Sequence, residues 1–359
     1  MRNFFSAALV FSLIISAVGG ANAQSAGQGR GPASTTGVTK TRGARKAPPT
    51  IADELVATLP ASDLIAVVDA GRAFNELLPK LVSLSIGGVD KLAKSIQDFT
   101  QKTGVDPSKI QSVVLGVGMD GSQGAGVVLI QGVDPDPNQI EAAMKEFGSE
   151  FKTSDYKGIT IYNVLSKGKS PSAGPLSLKT DDLALAALGR QRVALGDMKV
   201  VKQVIDIQTG AAKGGVSAAM KGALNETRAS ALVRFAMNVP ETLRAEAANQ
   251  GDLFKSVATI KMILGTFDVA SDLGLSLDAI IRTASQNDAT ELENGLKGLV
   301  ALGKDIFAGG DPKTNIIAQV LDLVKIGSKV GDVSLSINLP REILDQLTKK
   351  ETPPPAEKK

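Results

Sequence analysis

Between residues 51 and 348 the chain repeats one pattern. A short run of alternating or continuous apolar residues passes directly into a stretch whose apolar positions return every three or four residues. Residues 63–68 precede Phe74, Leu77, Leu78 and Leu81. Residues 192–195 precede Val200, Val201, Val204 and Ile205. Residues 231–239 precede Pro240, Leu243 and Ala247, and residues 333–339 precede Pro340, Ile343, Leu344 and Leu347. Each is a strand followed by a short amphipathic helix, and four copies of one unit indicate internal duplication.

The intervening segments repeat as well. Runs at 109–115 and 125–131 flank a Gly-rich turn, and runs at 261–269 and 275–283 flank Asp272, Leu273 and Gly274, so each half carries a hairpin. A capped helix follows each. In the first, Asp136 is the N-cap, Pro137 opens the helix and Gln139 closes a capping box, with Ile140, Met144 and Phe147 on one face. In the second, Asp288 and Glu291 form the capping pair ahead of Leu292, Leu296, Leu299 and Phe307. The first half inserts a further hairpin, 150–153 with 159–164, a loop carrying Lys167, Lys169, Pro171 and Pro175, and a strand at 183–188. The second inserts a helix over 311–329, with Ile316, Ile317, Val320, Leu321 and Val324 as its apolar side.

The order strand, helix, hairpin, helix, strand, helix predicts an α+β fold of two split βαβ (ferredoxin-like) halves, with mostly antiparallel sheets and helices packed on one face. The first repeat spans 51–209, a Gly-rich connecting segment 210–226, and the second repeat 227–348.

The ends of the chain set its compartment. Arg2, an apolar run over 4–18 and an exit through Gly19, Gly20, Ala21, Asn22 and Ala23 form the pattern of a cleaved secretory signal over 1–23. No later run approaches the roughly 20 apolar residues a membrane span needs. A periplasmic or secreted, soluble mature protein is expected.

Net charge is +3 overall, but it is unevenly spread. The flexible linker 24–50 carries +5 through Arg30, Lys40, Arg42, Arg45 and Lys46, the Pro/Lys tail 349–359 carries +2, and Arg2 adds +1, so the body is −5. A body of that sign is a poor nucleic-acid binder. The basic ends allow at most a weak, screened contact with an anionic membrane surface. Two stretches, Leu59, Pro60, Ala61, Ser62 and Asp63, and 193–197 with Val200, Val201, Lys202, Gln203, Val204, Ile205 and Asp206, resemble repeated α+β proteins exported by bacteria and still uncharacterised. That resemblance implies a fold and a compartment and carries no catalytic motif.

Composition removes most chemistry. The chain has no His, Cys or Trp and two Tyr, Tyr156 and Tyr162. Disulfides, thiolate sites, imidazole bases and the usual zinc, copper and haem ligands are therefore excluded. Gly116, Gly118 and Gly121 spell G-x-G-x-x-G, yet another strand follows where a dinucleotide site needs a helix N-terminus, and Asp120 with Gly121 reads as a hairpin turn. Ser149 with Lys152, and Lys102, Thr103 and Gly104, occur in the wrong order for a penicillin-recognising enzyme.

Asp134, Asp136 and Asn138 begin like a calcium loop, but Gln139 and Lys145 occupy its sixth and twelfth positions. Asp268, Asp272 and Asp278 on the second hairpin, and Asp181 with Asp182, remain as hard-cation candidates. No catalytic, cofactor or metal residue is assigned, and no cofactor is implied. The expected role is a non-catalytic, envelope-associated binding, adaptor or structural protein, with an envelope protein or an apolar ligand as partner. The alternatives are a carrier of a lipid or other apolar ligand, and a His-independent hydrolase using Asp, Glu, Ser or Lys.

Overall fold

A computed structural model describes residues 50–83, 89–120, 123–146, 150–165, 183–249, 256–307 and 312–348. The expected signal segment 1–23, residues 24–49 of the expected linker, the tail 349–359, the 167–175 loop, Gly121, Phe147, Ser149, Asp181 and Asp182 lie outside the described residues.

The twelve strands among the described residues form one sheet in the order β11-β12-β10-β9-β8-β1-β2-β3-β7-β6-β5-β4, and neighbouring strands pair antiparallel throughout. The two halves meet where β1 (Leu64–Asp69) pairs with β8 (Val233–Asn238), with Ala66 opposite Phe235 at the centre. Outward from that pair the halves repeat each other. On one side β2 (Ser112–Asp120), β3 (Gln123–Gln131), β7 (Arg192–Asp197) and β6 (Leu183–Gly189) follow in turn. On the other, β9 (Met262–Val269), β10 (Leu275–Arg282), β12 (Asp332–Leu339) and β11 (Val324–Lys329) take the same places. The inserted hairpin, β4 (Glu150–Tyr156) with β5 (Ile159–Leu165), extends the first half alone.

The sheet corrects three sequence expectations. Each half is antiparallel, with a crossover from β3 to β4 or from β10 to β11 after which the chain returns to pair β7 with β3 or β12 with β10, so the split βαβ order, which needs a parallel pair, is absent among the described strands. The expected helix over 311–329 stops at Asp322, and Val324, Ile326 and Ser328 then alternate with Lys325, Gly327 and Lys329 as the edge strand β11. A tight turn at Val330 (φ 50°) and Gly331 (φ 84°) returns the chain into β12, two left-handed residues matching the twist of a hairpin. The helices also occupy both faces of the sheet in the first half, not one.

Why both faces fill there is visible in the strands. In β1, Ile65 and Val67 point one way and Leu64 and Val68 the other, and all four are buried. On the first face lie α1 (Ile51–Ala57), α5 (Met198–Gln208) and α6 (Ala218–Glu226). Helix α5 starts on Asp197, whose Oδ1 accepts the Lys199 amide at 2.9 Å. Its stripe of Val200, Val201, Val204 and Ile205 is buried with Ala184, Ala186 and Ala194, whose small side chains let the helix approach the strands closely. Each such branched side chain contributes about 1.5–3 kcal/mol by leaving water.

The opposite face carries α2 (residues 70–83, with a π-turn at Ala73–Leu77), α3 (Val89–Thr103) and α4 (Pro137–Glu146) over the first half. Leu77 packs with Val68, Val113 and Val233, while Ile140 and Met144 pack on Tyr162 and Val164. The capping box of α4 forms as read: the Gln139 amide donates to Asp136 Oδ1 at 2.9 Å, and the Asp136 amide to Gln139 Oε1 at 3.1 Å.

In the second half, α7 (Glu241–Ala248), α8 (Gln286–Phe307), α9 (Pro312–Asp322) and α10 (Arg341–Thr348) complete the chain order. Helix α8 buries Ala289 and Leu292 against Val333 on that same face. Its cap is Ser285 with Asp288, not Asp288 with Glu291, since the Asp288 amide donates to Ser285 Oγ at 3.2 Å. On the first face Ala236 and Leu264 still join the core under α6, but beyond β9 that face is left polar, with Asp278, Ser334 and Asn338 exposed.

Charge pairs fasten these layers. Burial pushes the Asp53 carboxyl up, but the Thr50 amide and hydroxyl and Arg234 outweigh it and hold it below its ordinary value. Lys297, then Ser328, hold Glu293 down in the same way. Carboxylates depressed by folding contribute stability above their unfolded values, and that contribution is lost as pH falls through the folded ones. With no His to titrate, melting temperature should stay flat from about pH 6 to 8 and fall only in acid below about pH 4. Calorimetric melts across that range test this, and a step near pH 6.5 would contradict it.

Candidate functional site

The segment joining the halves is a strap before it is a helix. Gly214 and Gly215 cross the α1–β1 connection so closely that an added Cβ would sit 2.2 Å from Ala57 O and 2.2 Å from Ala61 N respectively. The Gly215 amide donates to Leu59 O at 3.0 Å. Ser217 then caps α6, its Oγ accepting the Met220 amide at 3.2 Å, and Met220, Ala223 and Leu224 enter the core. The connecting segment 210–226 thus contains a core helix that precedes β8 as α1 precedes β1.

Beside this strap, at the end of the β1–β8 ladder, lies an open cleft of about 660 Å³. Its surface is built from small residues, Ala61, Gly118, Gly124, Ala125, Gly215 and Ala219, and from three thioethers, Met119, Met220 and Met262. Ser62, Asp63, Asp197, Ser217 and Asn238 supply its polar groups. A smaller recess of about 140 Å³ adjoins it, shares Ala61, Ser62, Gly118 and Ala125, and reaches exposed Lys199 on α5.

Four of these polar groups already hold backbone, and Asn238 holds Asp63. Asp63 accepts the Met119 amide at 2.9 Å and the Asn238 side-chain amide at 3.3 Å, tying β1 to β2 and β8. Asp197 caps α5. Ser62 Oγ donates to Pro60 O at 3.1 Å. No hydrogen bond joins either serine to either carboxylate among the described contacts, so no nucleophile and base are paired here.

The residues singled out from sequence serve elsewhere as fold chemistry. Gly116 and Gly118 lie within β2 and lead into β3, not into a helix. Lys102 pairs with Glu146 at 2.5 Å, and Gly104 (φ 72°) ends α3. Asp268 is enclosed by arginines: Arg72 reaches it at 2.6 Å and Arg228 at 3.3 Å, while Arg228 also lies 3.9 Å from Asp278. Asp272 accepts the Gly274 amide in its turn. Among the described residues no group of three acidic side chains is placed to hold a metal ion.

A second polar cluster closes the inserted hairpin onto α5, where Tyr156 donates to Asp206 at 3.0 Å and Lys157 lies 2.5 Å from it. Lys157, and then the Tyr156 hydroxyl, hold the Asp206 carboxyl below its usual range. Lys202 sits 5.4 Å from the Tyr156 ring centre.

No family model and no curated protein matches the chain. Among solved structures it is similar to the treponemal protein TP0453. Crystal form I aligns at 8% identity and a TM-score of 0.42, covering 82% of this chain and 96% of that one. Crystal form III aligns at 9% and 0.43, covering 81% and 95%. Likenesses with TM-scores under 0.5 carry no inference about ligand or role. Among the described residues no helix is long and apolar enough to cross a membrane.

The strap makes a direct test of the cleft's construction. Gly215→Ala should lower stability by about 1–3 kcal/mol, because backbone on both sides must move. Gly222→Ala, on α6 with nothing within 4 Å of its added Cβ, should be neutral or stabilising by up to about 1 kcal/mol. Urea unfolding midpoints of the two variants measure the contrast.

Proposed function

We propose that this is an exported, non-catalytic, envelope-associated binding protein that holds a small ligand in the cleft between its two halves. The observation that carries the reading is the cleft itself. It has the volume of a small-molecule site, and its carboxylates and hydroxyls are already engaged as structural acceptors and donors. Those engagements supply rigidity, which favours binding. They also leave the hydrolase alternative without an activated nucleophile.

The lining supports the choice of ligand over protein as partner. Glycine and alanine expose backbone and leave room, while methionine adapts its shape to whatever enters. Tyr, Trp and Arg, the usual anchors of a protein interface, do not line the cleft among the described residues. An apolar or partly apolar molecule of modest width fits these walls, which brings the carrier reading to the same place in the fold.

Export is proposed from the signal-like residues 1–23 and from the Cys-free, His-free body. Ala219 is exposed on α6 at the cleft wall, so Ala219→Trp should fill the space without disturbing the core. Native mass spectrometry of protein purified gently from the envelope fraction should show a retained small molecule on the wild type and at least a tenfold loss on the variant. Equal retention on both would place the ligand elsewhere and remove the cleft from the account.

A further inference from the structure

The charge around the cleft is one-sided. Two half-buried carboxylates, Asp63 and Asp197, line it, and among the described lining residues there is no Lys or Arg. Lys199 is exposed and lines the adjoining recess. Asp63 is held by an amide hydrogen and a neutral side-chain amide, and Asp197 Oδ1 by the amides of Lys199 and Val200. Their partners orient the two carboxylates; the N-terminus of α5 offsets about half a charge at Asp197, while Asp63 meets only neutral donors, so the net field in the cleft stays negative. In a recess walled by Met119, Met220 and Met262 that field is less screened than on open surface.

We infer that the cleft takes a slender aliphatic amine, its ammonium end between Asp63 and Asp197 and its hydrocarbon along the thioethers, and that it rejects carboxylate and phosphate ligands. The inference rests on the binding reading above and names the chemical class that site selects. Small residues set the width: Gly118, Gly124 and Ala125 leave space for a narrow chain and offer no aromatic platform for a ring. A fatty acid, the commonest slender apolar ligand, would bring its anion against two carboxylates, and that repulsion decides between the classes.

Isothermal titration of the mature full-length protein with octylamine, 1-octanol and octanoate tests the inference, because the three share one tail. Octylamine should bind on the order of tenfold tighter than octanoate, with 1-octanol between them. The variants Asp63→Asn and Asp197→Asn remove charge while keeping one amide oxygen each, for the Met119 amide and for the α5 cap, and Asn238 can turn its own amide oxygen to the NH2 that replaces the second Asp63 oxygen. Their combination should abolish the order of preference, and thermal melts confirm that the fold persists.

Octanoate binding as tightly as the amine would overturn the inference, as would a preference that survives the double variant. Octanoate binding that Lys199→Gln removes would also overturn it, by giving the adjoining recess the selective role. If all three tails bind alike and Ala219→Trp abolishes each, the amine class fails while the cleft reading stands. If Ala219→Trp changes none of them, the cleft reading fails as well.

Discussion

Everything else in the molecule depends on the antiparallel ladder between β1 and β8. Five residue pairs, from Leu64 opposite Met237 to Val68 opposite Val233, convert two antiparallel halves into one sheet. Neither strand is an edge, so both are covered on both faces, β1 by apolar side chains alone and β8 with Arg234 paired to Asp53. Arg72 on α2 reaching Asp268 on β9 fastens the same joint from the side. Arg234 on β8 reaching Asp53 on α1 does so from the other face.

Joining two halves this way creates a place that neither half has alone. At the ladder's end, residues of β2 and β3 from one half and of β8 and β9 from the other line one cleft with the strap. Asp63 ties the strands there with one carboxylate, and α6, which precedes β8, contributes Ala219 and Met220 to the wall. The asymmetry between halves follows from what covers them. Helix α5 buries four branched residues on the alanines of β6 and β7, whereas the matching strands of the second half show Ser334, Asn338 and Lys325 to solvent.

Features set by near neighbours in the chain were legible in the sequence. The reciprocal cap of Asp136 and Gln139 is a four-residue affair, and the duplicated strand–helix units are set by local periodicity. The edge strand 324–329 was hidden because Val324 continues the spacing of Val320 and Leu321, so helix and strand patterns overlap at the boundary. Its turn uses Val330 at positive φ, a residue that carries no turn signal. Helix α6 was hidden among Gly214, Gly215 and Gly222, which look like linker, although two of them exist to let backbone cross backbone. A strand such as β1 reads as apolar whatever covers it, so helices on two faces could not be told from helices on one. The cleft has no motif at all, since its walls come from five strands, the α1–β1 connection, the strap and α6, far apart in sequence.

The central claim is that the β1–β8 ladder makes a single cooperative body out of two repeats. A chain without Cys allows that to be measured with one label at a time. Cysteines placed singly at exposed Ser154 in the first half and exposed Ser334 in the second, each carrying an environment-sensitive dye, report unfolding in urea from either side of the ladder. The account predicts one midpoint common to both labels. Separate midpoints, with one half persisting after the other has unfolded, would contradict it.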